Sequence, residues 1–355
     1  MVEKFPFLKV EGTHYEIGYQ IGRRFRDRIR RFNEIIAGDL GIEEAKRRAK
    51  LFLHAFRRDC PHLLEEIRGV ADGAEISMAE ALLPNIRGGI RRIAGCTAYV
   101  ISSEATKEGK VLIGQNQDMP SPMQEVGVIL HIIPEDAPEI LMWTFAGLVG
   151  YHGFNSQGVS FFANSLPEPP IGPIPPEKIG SGYMVKRLML EQSSIDGVLK
   201  VLDKMSSYES AFGQGNYVLA DRNGILDVEL YSGGYEVLRD DGRGFIAHTN
   251  HYVLEKLQHL NKYAVETLAP IENDSAVRLE RMNKLLESAK GEVTTERLKE
   301  FLSDHYNYPF SICRHATEIG SVTVASIIAE PQNRVMHICP GNPCEGEYYT
   351  YEMKD

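Results

Sequence analysis

The stretch RIAGCTAY, residues 92–99, lies where the pattern of the whole chain changes. The residues before it are patterned almost entirely as helix, and a strand-like run begins directly after Cys96. The pair Gly95-Cys96 therefore joins a helical part of the chain to a part rich in strands. By itself the pair is weak evidence of chemistry, because a buried structural cysteine at the start of a strand is the commoner arrangement.

The part before Cys96 is predicted to form four helices. The longest, residues 14–38, places apolar side chains at spacings of three and four on one face and arginines on the other. The second spans residues 42–57, the third begins at Pro61, and a short fourth follows Ser77, a typical N-cap residue. The arginine face could bind nucleic acid, but the net charge of −10 favours an ordinary solvated face.

The part from Cys96 onward alternates runs of strands with pairs of helices. Strands are predicted over residues 97–102, 110–115, 127–133, 139–145, 158–164, 216–221, 224–231, 235–238, 244–249, 321–329 and 334–339. Helices are predicted over residues 183–192, 195–204, 273–289 and 295–304. Successive strands without long crossovers predict antiparallel pairing, and the alternating runs predict an α+β fold in layers. The proline-rich segment 166–180 is either a rigid loop over a binding site or a spacer.

Composition indicates a globular protein with a core of its own. The chain has 355 residues, 43% of them hydrophobic and 25% charged, and needs no disulfides to fold. No apolar run approaches the ~20 residues of a membrane span, so we expect no membrane partner. The first residues lack the apolar core of a signal peptide, which favours a cytoplasmic location. The acidic balance argues against a nucleic-acid partner.

The charge is divided unevenly at Cys96. Before it stand 18 Lys/Arg and 14 Asp/Glu, or +4, and from it onward 21 and 35, or −14. Opposite charges would help two separate pieces stay together, although ordinary solvated surfaces give the same numbers.

Five cysteines are scattered along the chain and are expected to be free thiols. Cys339 and Cys344 flank a turn at a spacing that fits no common zinc pattern, and no second pair stands nearby in sequence. We predict two inert thiols there, with a local disulfide as the alternative.

Cys96 is the leading candidate nucleophile. A thiol is mostly protonated near neutral pH, so a nucleophilic cysteine needs a base or a lowered pKa. If the bond before Cys96 is cut, the freed amine has a pKa of ~7.7–8.0 and can take the thiol proton. The cut would begin with attack of the thiol on the Gly95 carbonyl and give a thioester that water opens. Glycine suits a strained bond because it lacks a Cβ atom.

Several motifs resemble the acyl-CoA:isopenicillin N acyltransferase family, or penicillin acyltransferases, of the N-terminal-nucleophile hydrolases. They are GCT (95–97), GQNQD (114–118), GFNS (153–156), HTNH (248–251), NYPFSICR (307–314) and an opening segment with Gly12, Glu16, Gly18 and Gly22. The motifs stand in the expected order and together cover nearly the whole chain. The resemblance implies a four-layer αββα fold, with two mainly antiparallel sheets between helical layers, and self-cleavage before Cys96.

The resemblance also implies roles for matching residues. Cys96 would be the nucleophile and, through its amine, the base, and Asp118 would hold or tune that amine. Asn250 would donate its side-chain amide to the oxyanion, a contact worth ~2.7–4 kcal/mol. Arg314 would fix a carboxylate or stabilise developing charge. From the residues alone, Asp118 is better explained as a turn cap and Asn250 as a turn residue, whereas a surface ion pair is an equal alternative for Arg314.

Two features near these motifs bear on ligands. His248 and His251 frame Asn250 but lack helical spacing and nearby carboxylates, so we predict no metal and no cofactor, with acyl-CoA only as a possible co-substrate. Fungal members of the family carry Trp where this chain has Gln117, and the loop between Tyr99 and Gly114 is longer here. Substrate preference is therefore expected to differ.

The resemblance implies an enzyme that acts on the amide bond of small N-acyl amino acids, peptides or β-lactam side chains through a thioester. Hydrolysis is slightly favoured, because the acidic part from Cys96 onward offers no platform for the phosphates of CoA. The alternatives are an acyl-CoA-dependent N-acyltransferase of the 6-aminopenicillanic-acid type and an uncleaved, non-catalytic binding protein. Residues 1–95 and 96–355 are expected to be two chains that stay associated in one domain, of unknown oligomeric state.

Overall fold

A computed structural model describes residues 3–86, 95–167, 174–208, 215–264, 270–317 and 320–354. Its strands are β1 Phe7–Gly12, β2 Thr97–Ile101, β3 Leu112–Met119, β4 Gly127–Pro134, β5 Ile140–Phe145, β6 His152–Asn155, β7 Ser160–Ser165, β8 Gly215–Ala220, β9 Ile225–Tyr231, β10 Gly234–Arg239, β11 Phe245–His248, β12 Val322–Glu330, β13 Val335–Pro340 and β14 Tyr349–Glu352. Its helices are α1 His14–Ala37, α2 Ile42–Ala49, α3 Leu53–Asp59, α4 Pro61–Ala74, α5 Met78–Leu82, α6 Gly182–Leu190, α7 Ile195–Met205, α8 Ser275–Ser288 and α9 Thr295–Leu302.

The strands form two sheets. Sheet A has eight strands in the order β1-β4-β5-β6-β7-β8-β9-β10, and sheet B has six in the order β11-β2-β3-β12-β13-β14. Neighbouring strands are antiparallel apart from β1 and β4, which pair in parallel. The prediction of mainly antiparallel pairing is therefore confirmed. Strand β1, which the prediction did not include, joins the sheet from far away in the chain, where no short turn sets its direction.

Three apolar interfaces stack these sheets and helices into four layers. Helices α1, α4, α6 and α7 cover one face of sheet A, and the other face of sheet A meets sheet B through side chains such as Trp143 and Val100. Helices α8 and α9 cover the outer face of sheet B, where Met282 packs with Tyr99. Burial of both faces of each sheet requires this order, and the predicted αββα architecture is confirmed.

Helices α1 and α4 touch backbone to backbone. A Cβ atom on Gly18 would lie 1.9 Å from the Glu66 carbonyl oxygen, and one on Gly22 would lie 2.4 Å from that of Val70. Glycine is therefore required at both positions of the opening motif. The same helix begins with a capping box between Thr13 and Glu16, which satisfies backbone donors at its start.

The part before Cys96 is bonded to the rest in several places. Strand β1 pairs with β4 over its whole length. The buried carboxylate of Glu66 on α4 lies 3.2 Å from the Arg187 guanidinium on α6. The side chain of Asn85 donates to the Gly147 carbonyl at 3.0 Å and accepts from the Val149 amide at 2.9 Å.

The predicted elements are present, with differences at their ends. The helix predicted over 42–57 is split into α2, a short 3-10 turn and α3, and strands β1, β6 and β14 were missed. Strand β3 extends to Met119, so Asp118 lies in a strand and the turn-cap alternative is wrong. Residues 92–94 of the RIAGCTAY stretch lie outside the described residues, as do residues 168–173 of the proline-rich segment. Across the helices that are described, none combines the length and apolarity of a membrane span.

Candidate active site

Four adjacent strands of sheet B bring the candidate residues to one end of that sheet. Strand β2 begins next to Cys96 and runs antiparallel to β11 on one side and β3 on the other. Strand β11 therefore ends beside Cys96, and Asn250 follows two residues later. Near the end of β3, Asp118 lies opposite Thr323 of β12, at a register shift typical of a β-bulge.

The Cys96 thiol is buried beside Gln117 and Asp118. The whole residue is only 2% exposed. The sulfur accepts a hydrogen bond from Gln117 Nε2 at 3.1 Å and lies 3.7 Å from the Asp118 carbonyl oxygen, to which it donates. Burial, followed by the nearby Asp118 charge, raises the pKa of the Cys96 thiol to about 11. Attack by this sulfur therefore requires a base.

The Asp118 carboxyl group is poised to exchange a proton near neutral pH. Its Oδ1 accepts a hydrogen bond from Thr323 Oγ1 at 2.7 Å, and its Oδ2 lies 3.5 Å from Arg314 Nε. Among the described residues, no hydrogen bond reaches Oδ2. Burial raises the pKa of Asp118 to about 7 against the opposing effect of the Arg314 and Arg278 charges.

Two buried arginines share one aspartate at the site. Asp274 Oδ1 accepts from Arg278 Nε at 2.7 Å and from Arg314 Nη2 at 2.6 Å. Burial alone would raise the pKa of Asp274, but the two guanidinium groups lower it overall. Arg314 is 1% exposed, so the surface ion-pair alternative is wrong. The pair of arginines supplies fixed positive charge beside Asp118.

Arg278 connects Cys96 to Asn250. Its Nη1 donates to the Cys96 carbonyl oxygen at 2.7 Å and to Thr97 Oγ1 at 3.0 Å, while its Nη2 donates to Asn250 Oδ1 at 2.9 Å. The other end of the Asn250 side chain, Nδ2, donates to the Ser165 carbonyl at 3.0 Å. Asn250 is thus held by its side chain in the cluster that surrounds Cys96, and its amide group carries a donor at this end of sheet B.

Gly95 lies between the Arg314 guanidinium and the Asp118 carboxylate. A Cβ atom added to Gly95 would lie 2.5 Å from Arg314 Cζ and 2.8 Å from Asp118 Oδ2. Any side chain at this position would have to displace the guanidinium or the carboxylate. Glycine before Cys96 is therefore explained by the space between Arg314 and Asp118, a stricter requirement than backbone strain alone.

Sequence reasoning missed Arg278, Asp274 and Thr323 as members of the site. Arg278, Met282 and Leu286 are all buried at spacings of four on α8. An arginine on the apolar stripe of an amphipathic helix is a detectable signal of a buried, paired charge. Thr323 carried no such signal, because a threonine in a strand is ordinary.

The two histidines around Asn250 point into different environments. His248 Nε2 lies 2.8 Å from Glu229 Oε1 and 3.6 Å from Asp227 Oδ2 in the core. His251 Nδ1 lies 2.8 Å from Ser275 Oγ, and burial lowers the pKa of His251 to about 4. Both histidines are engaged in hydrogen bonding with neighbouring side chains.

A family model described as acyl-coenzyme A:6-aminopenicillanic acid acyl-transferase matches residues 105–345. Among curated proteins, the chain is 28% identical over 362 residues to the 40 kDa form of acyl-coenzyme A:6-aminopenicillanic-acid-acyltransferase from Emericella nidulans, across 97% of this chain and 96% of that protein. It is 24% identical over 235 residues to beta-alanyl-dopamine/carcinine hydrolase from Drosophila melanogaster, across 56% of this chain and 57% of that protein.

Solved structures also align with the chain. Penicillin V acylase from Agrobacterium tumefaciens aligns with a TM-score of 0.48 at 13% identity, over 73% of this chain and 86% of that one. A variant of conjugated bile acid hydrolase from Clostridium perfringens aligns with a TM-score of 0.45 at 14% identity, over 73% of this chain and 97% of that one.

Proposed function

The chain belongs to the acyl-coenzyme A:6-aminopenicillanic acid acyl-transferase family, and on that premise we propose that it cuts itself before Cys96 and hydrolyses small amides. It is an amidohydrolase or acyltransferase of the N-terminal-nucleophile class, acting on amide bonds. The observation that carries the proposal is the position of Gly95 between Arg314 and Asp118, with the Cys96 thiol buried beside them.

Self-cleavage needs a base other than the Cys96 amine, because that nitrogen is still part of the peptide bond. Asp118, with a pKa raised to about 7 by burial, is the group suited to this first step. The Cys96 sulfur attacks the Gly95 carbonyl carbon and its proton passes to Asp118. The C–N bond then breaks, the nitrogen takes up a proton, and a thioester remains. Water opens the thioester to give the Gly95 carboxylate and a free Cys96 thiol and amine.

Turnover repeats this chemistry on an external amide. The freed Cys96 amine accepts the thiol proton and returns it to the leaving amine, as an acyl group moves to the sulfur. Asn250 Nδ2 donates to the oxyanion of the tetrahedral intermediate, while Arg278 holds the Asn250 side chain by its oxygen. Arg314 stabilises negative charge in the space that Gly95 vacates. These roles need no cofactor and no metal.

The substrates we propose are small N-acyl amino acids, peptides and β-lactam side chains, with water as the acceptor. The hydrolase name of the Drosophila melanogaster relative supports water. The second candidate is an acyl-CoA-dependent N-acyltransferase, which the name of the Emericella nidulans relative supports. Both functions share the thioester and differ in the molecule that opens it.

We also propose that the two pieces, residues 1–95 and 96–355, stay associated after the cut. Support comes from the β1–β4 pairing, the buried Glu66–Arg187 ion pair and the hydrogen bonds of Asn85 to the 147–149 turn.

Intact-mass measurement tests the cut directly. We expect the fragments Met1–Gly95 and Cys96–Asp355 from the native chain and a single full-length mass from Cys96→Ala. Cys60→Ala is the matched control, since Cys60 is also buried but lies among the helices away from the site. A native chain that stays uncut after long incubation would refute self-cleavage. Turnover of an acyl-amide, with and without a competing amine or CoA, separates hydrolysis from transfer.

A further inference from the structure

A second cluster of reactive side chains lies outside the cleavage site. It consists of His305, Cys313, His315 and Cys344, called the Cys2His2 cluster below. One ligand atom from each residue lies within 4.8 Å of all the others. Cys313 is buried, His315 half-buried, and His305 and Cys344 exposed, so the cluster sits at the surface with one side in the protein.

The spacing of the four atoms approaches that of the ligands of a tetrahedral zinc ion, with the two nitrogens closer together and one nitrogen–sulfur pair slightly farther apart than in the bound geometry. The two Nε2 atoms of His305 and His315 are 2.9 Å apart, and the two sulfurs are 3.5 Å apart. His315 Nε2 lies 3.3 Å from the Cys344 sulfur and 3.9 Å from the Cys313 sulfur. Zn–S bonds of about 2.3 Å and Zn–N bonds of about 2.0–2.1 Å place tetrahedral ligand atoms about 3.3–3.8 Å apart.

Neighbouring residues support two of the four side chains, Cys313 and His315, in the way that metal ligands are supported. Asn342 Nδ2 lies 3.5 Å from the Cys313 sulfur and donates to it, and the same nitrogen donates to the Arg314 carbonyl at 2.8 Å. The Nδ1 atom of His315, on the far side of the ring from the cluster, lies 3.7 Å from Glu345 Oε1. A carboxylate behind a histidine orients the ring and makes it a better ligand.

We propose that the Cys2His2 cluster binds one zinc ion as a closed structural site. Two thiolates and two imidazoles are a donor set that favours zinc, and four protein ligands leave no position for substrate. The ligands come from two distant stretches, residues 305–315 and the turn at Cys344. Zinc therefore ties these stretches together beside Arg314, which follows Cys313 directly and reaches the cleavage site.

This proposal revises the sequence interpretation of the last two cysteines. Cys339 and Cys344 were predicted to be inert, with no partner pair nearby in sequence. Cys344 instead meets Cys313, 31 positions earlier in the chain. The Cys339 thiol turns away and donates to the carbonyl oxygens of Pro340 and Asn342. The site went unseen because its ligands are brought together by the fold, and not by a short motif.

Metal analysis of the full, untagged chain tests the site. We expect about one zinc per chain in the native protein and loss of that zinc in Cys344→Ser and His305→Ala. Cys339→Ala is the matched control, since it removes a buried thiol of β13 near the cluster but none from the cluster itself, and it should keep its zinc. Asn342→Ala should lower zinc affinity about 10- to 100-fold.

Cobalt(II) added to the chelated native chain gives a second measurement that needs no variant. Thiolate-to-cobalt charge-transfer absorption, displaced by zinc, is the expected result. A native chain without bound zinc and without this absorption would overturn the proposal. So would equal zinc content in Cys344→Ser and the native chain, or a Cys313–Cys344 disulfide in protein purified under reducing conditions. None of these readouts depends on self-cleavage or turnover.

Discussion

Arg278 donates a 2.7 Å hydrogen bond to the carbonyl oxygen of Cys96. The guanidinium is buried, and its other nitrogens bind Asp274 and Asn250. One side chain therefore holds the backbone of Cys96, the side chain of Asn250 and the carboxylate of Asp274 together. A planar fork with five donors can do this, whereas a lysine ammonium is a single point charge.

Arg278→Lys should keep the charge but lose this connection. We expect the rate of self-cleavage to fall about 100-fold, the scale of effect of a misplacement near 1 Å, with the chain still folded. Arg281→Lys is the matched control, one turn further along α8 and paired with Asp304 at the surface. Time courses of intact mass would measure both variants. Equal rates in Arg278→Lys and the native chain would show that the connection is dispensable.

Gly95→Ala should block the cut without unfolding the protein. The added methyl group would lie 2.5 Å from Arg314 Cζ, so the guanidinium or the scissile bond must move. We expect at least about 100-fold slower cleavage. Gly224→Ala is the control, because a Cβ atom there meets nothing within 4 Å. Normal cleavage of Gly95→Ala would mean that the space between Arg314 and Asp118 is not required.

The layers of the fold could be predicted because they follow from local patterns. The apolar stripe of α1 marks one buried helix face, and the nearly continuous apolar runs of β4 and β5 mark strands that are buried on both faces, regardless of what covers them. Strand β1 could not be predicted in the same way. Its burial pattern has a single buried residue, Val10, and its pairing with β4 is set by tertiary contacts.

Residues of the site that belong to sequence motifs could be predicted. Residues that belong to it only through charge pairing could not. Cys96, Asp118, Asn250 and Arg314 were named from motifs, and the structure brings them to one end of sheet B. Asp274 stayed hidden because its importance lies in contacts with two arginines that are distant from each other in sequence.

The titration of Asp118 predicts how cleavage and stability change with pH. Its folded-state pKa of about 7 is above its ordinary value, so the folded chain holds a proton that the unfolded chain has lost. The stability that this proton contributes is present in acid and is lost as the pH rises from about 4 to about 7. The cleavage rate should rise over the upper part of this range, because the carboxylate form of Asp118 is the proposed base.

Both effects can be measured with Asp118→Asn. The Cys96→Ala variant stays uncut and allows stability to be measured. Its urea unfolding midpoint should decline from pH 4 to pH 7 more steeply than that of the double variant Cys96→Ala/Asp118→Asn. In the chain that keeps Cys96, the single variant Asp118→Asn should cleave slowly, and its cleavage rate should show no step near pH 7. A native cleavage rate that is flat between pH 5 and pH 8 would argue against Asp118 as the base.

Asn250→Ala should separate turnover from folding. Loss of one oxyanion donor costs about 10²–10³ in kcat, so we expect that loss in acyl-amide hydrolysis with KM little changed. Asn283→Ala is the control, since Asn283 binds Arg243 on the outer side of α8 and should leave the rate unchanged. Because Asn250 Oδ1 also accepts from Arg278, a drop in the unfolding midpoint would reveal a positioning role. A normal kcat with a lowered midpoint would therefore reassign Asn250 from oxyanion donor to support for Arg278.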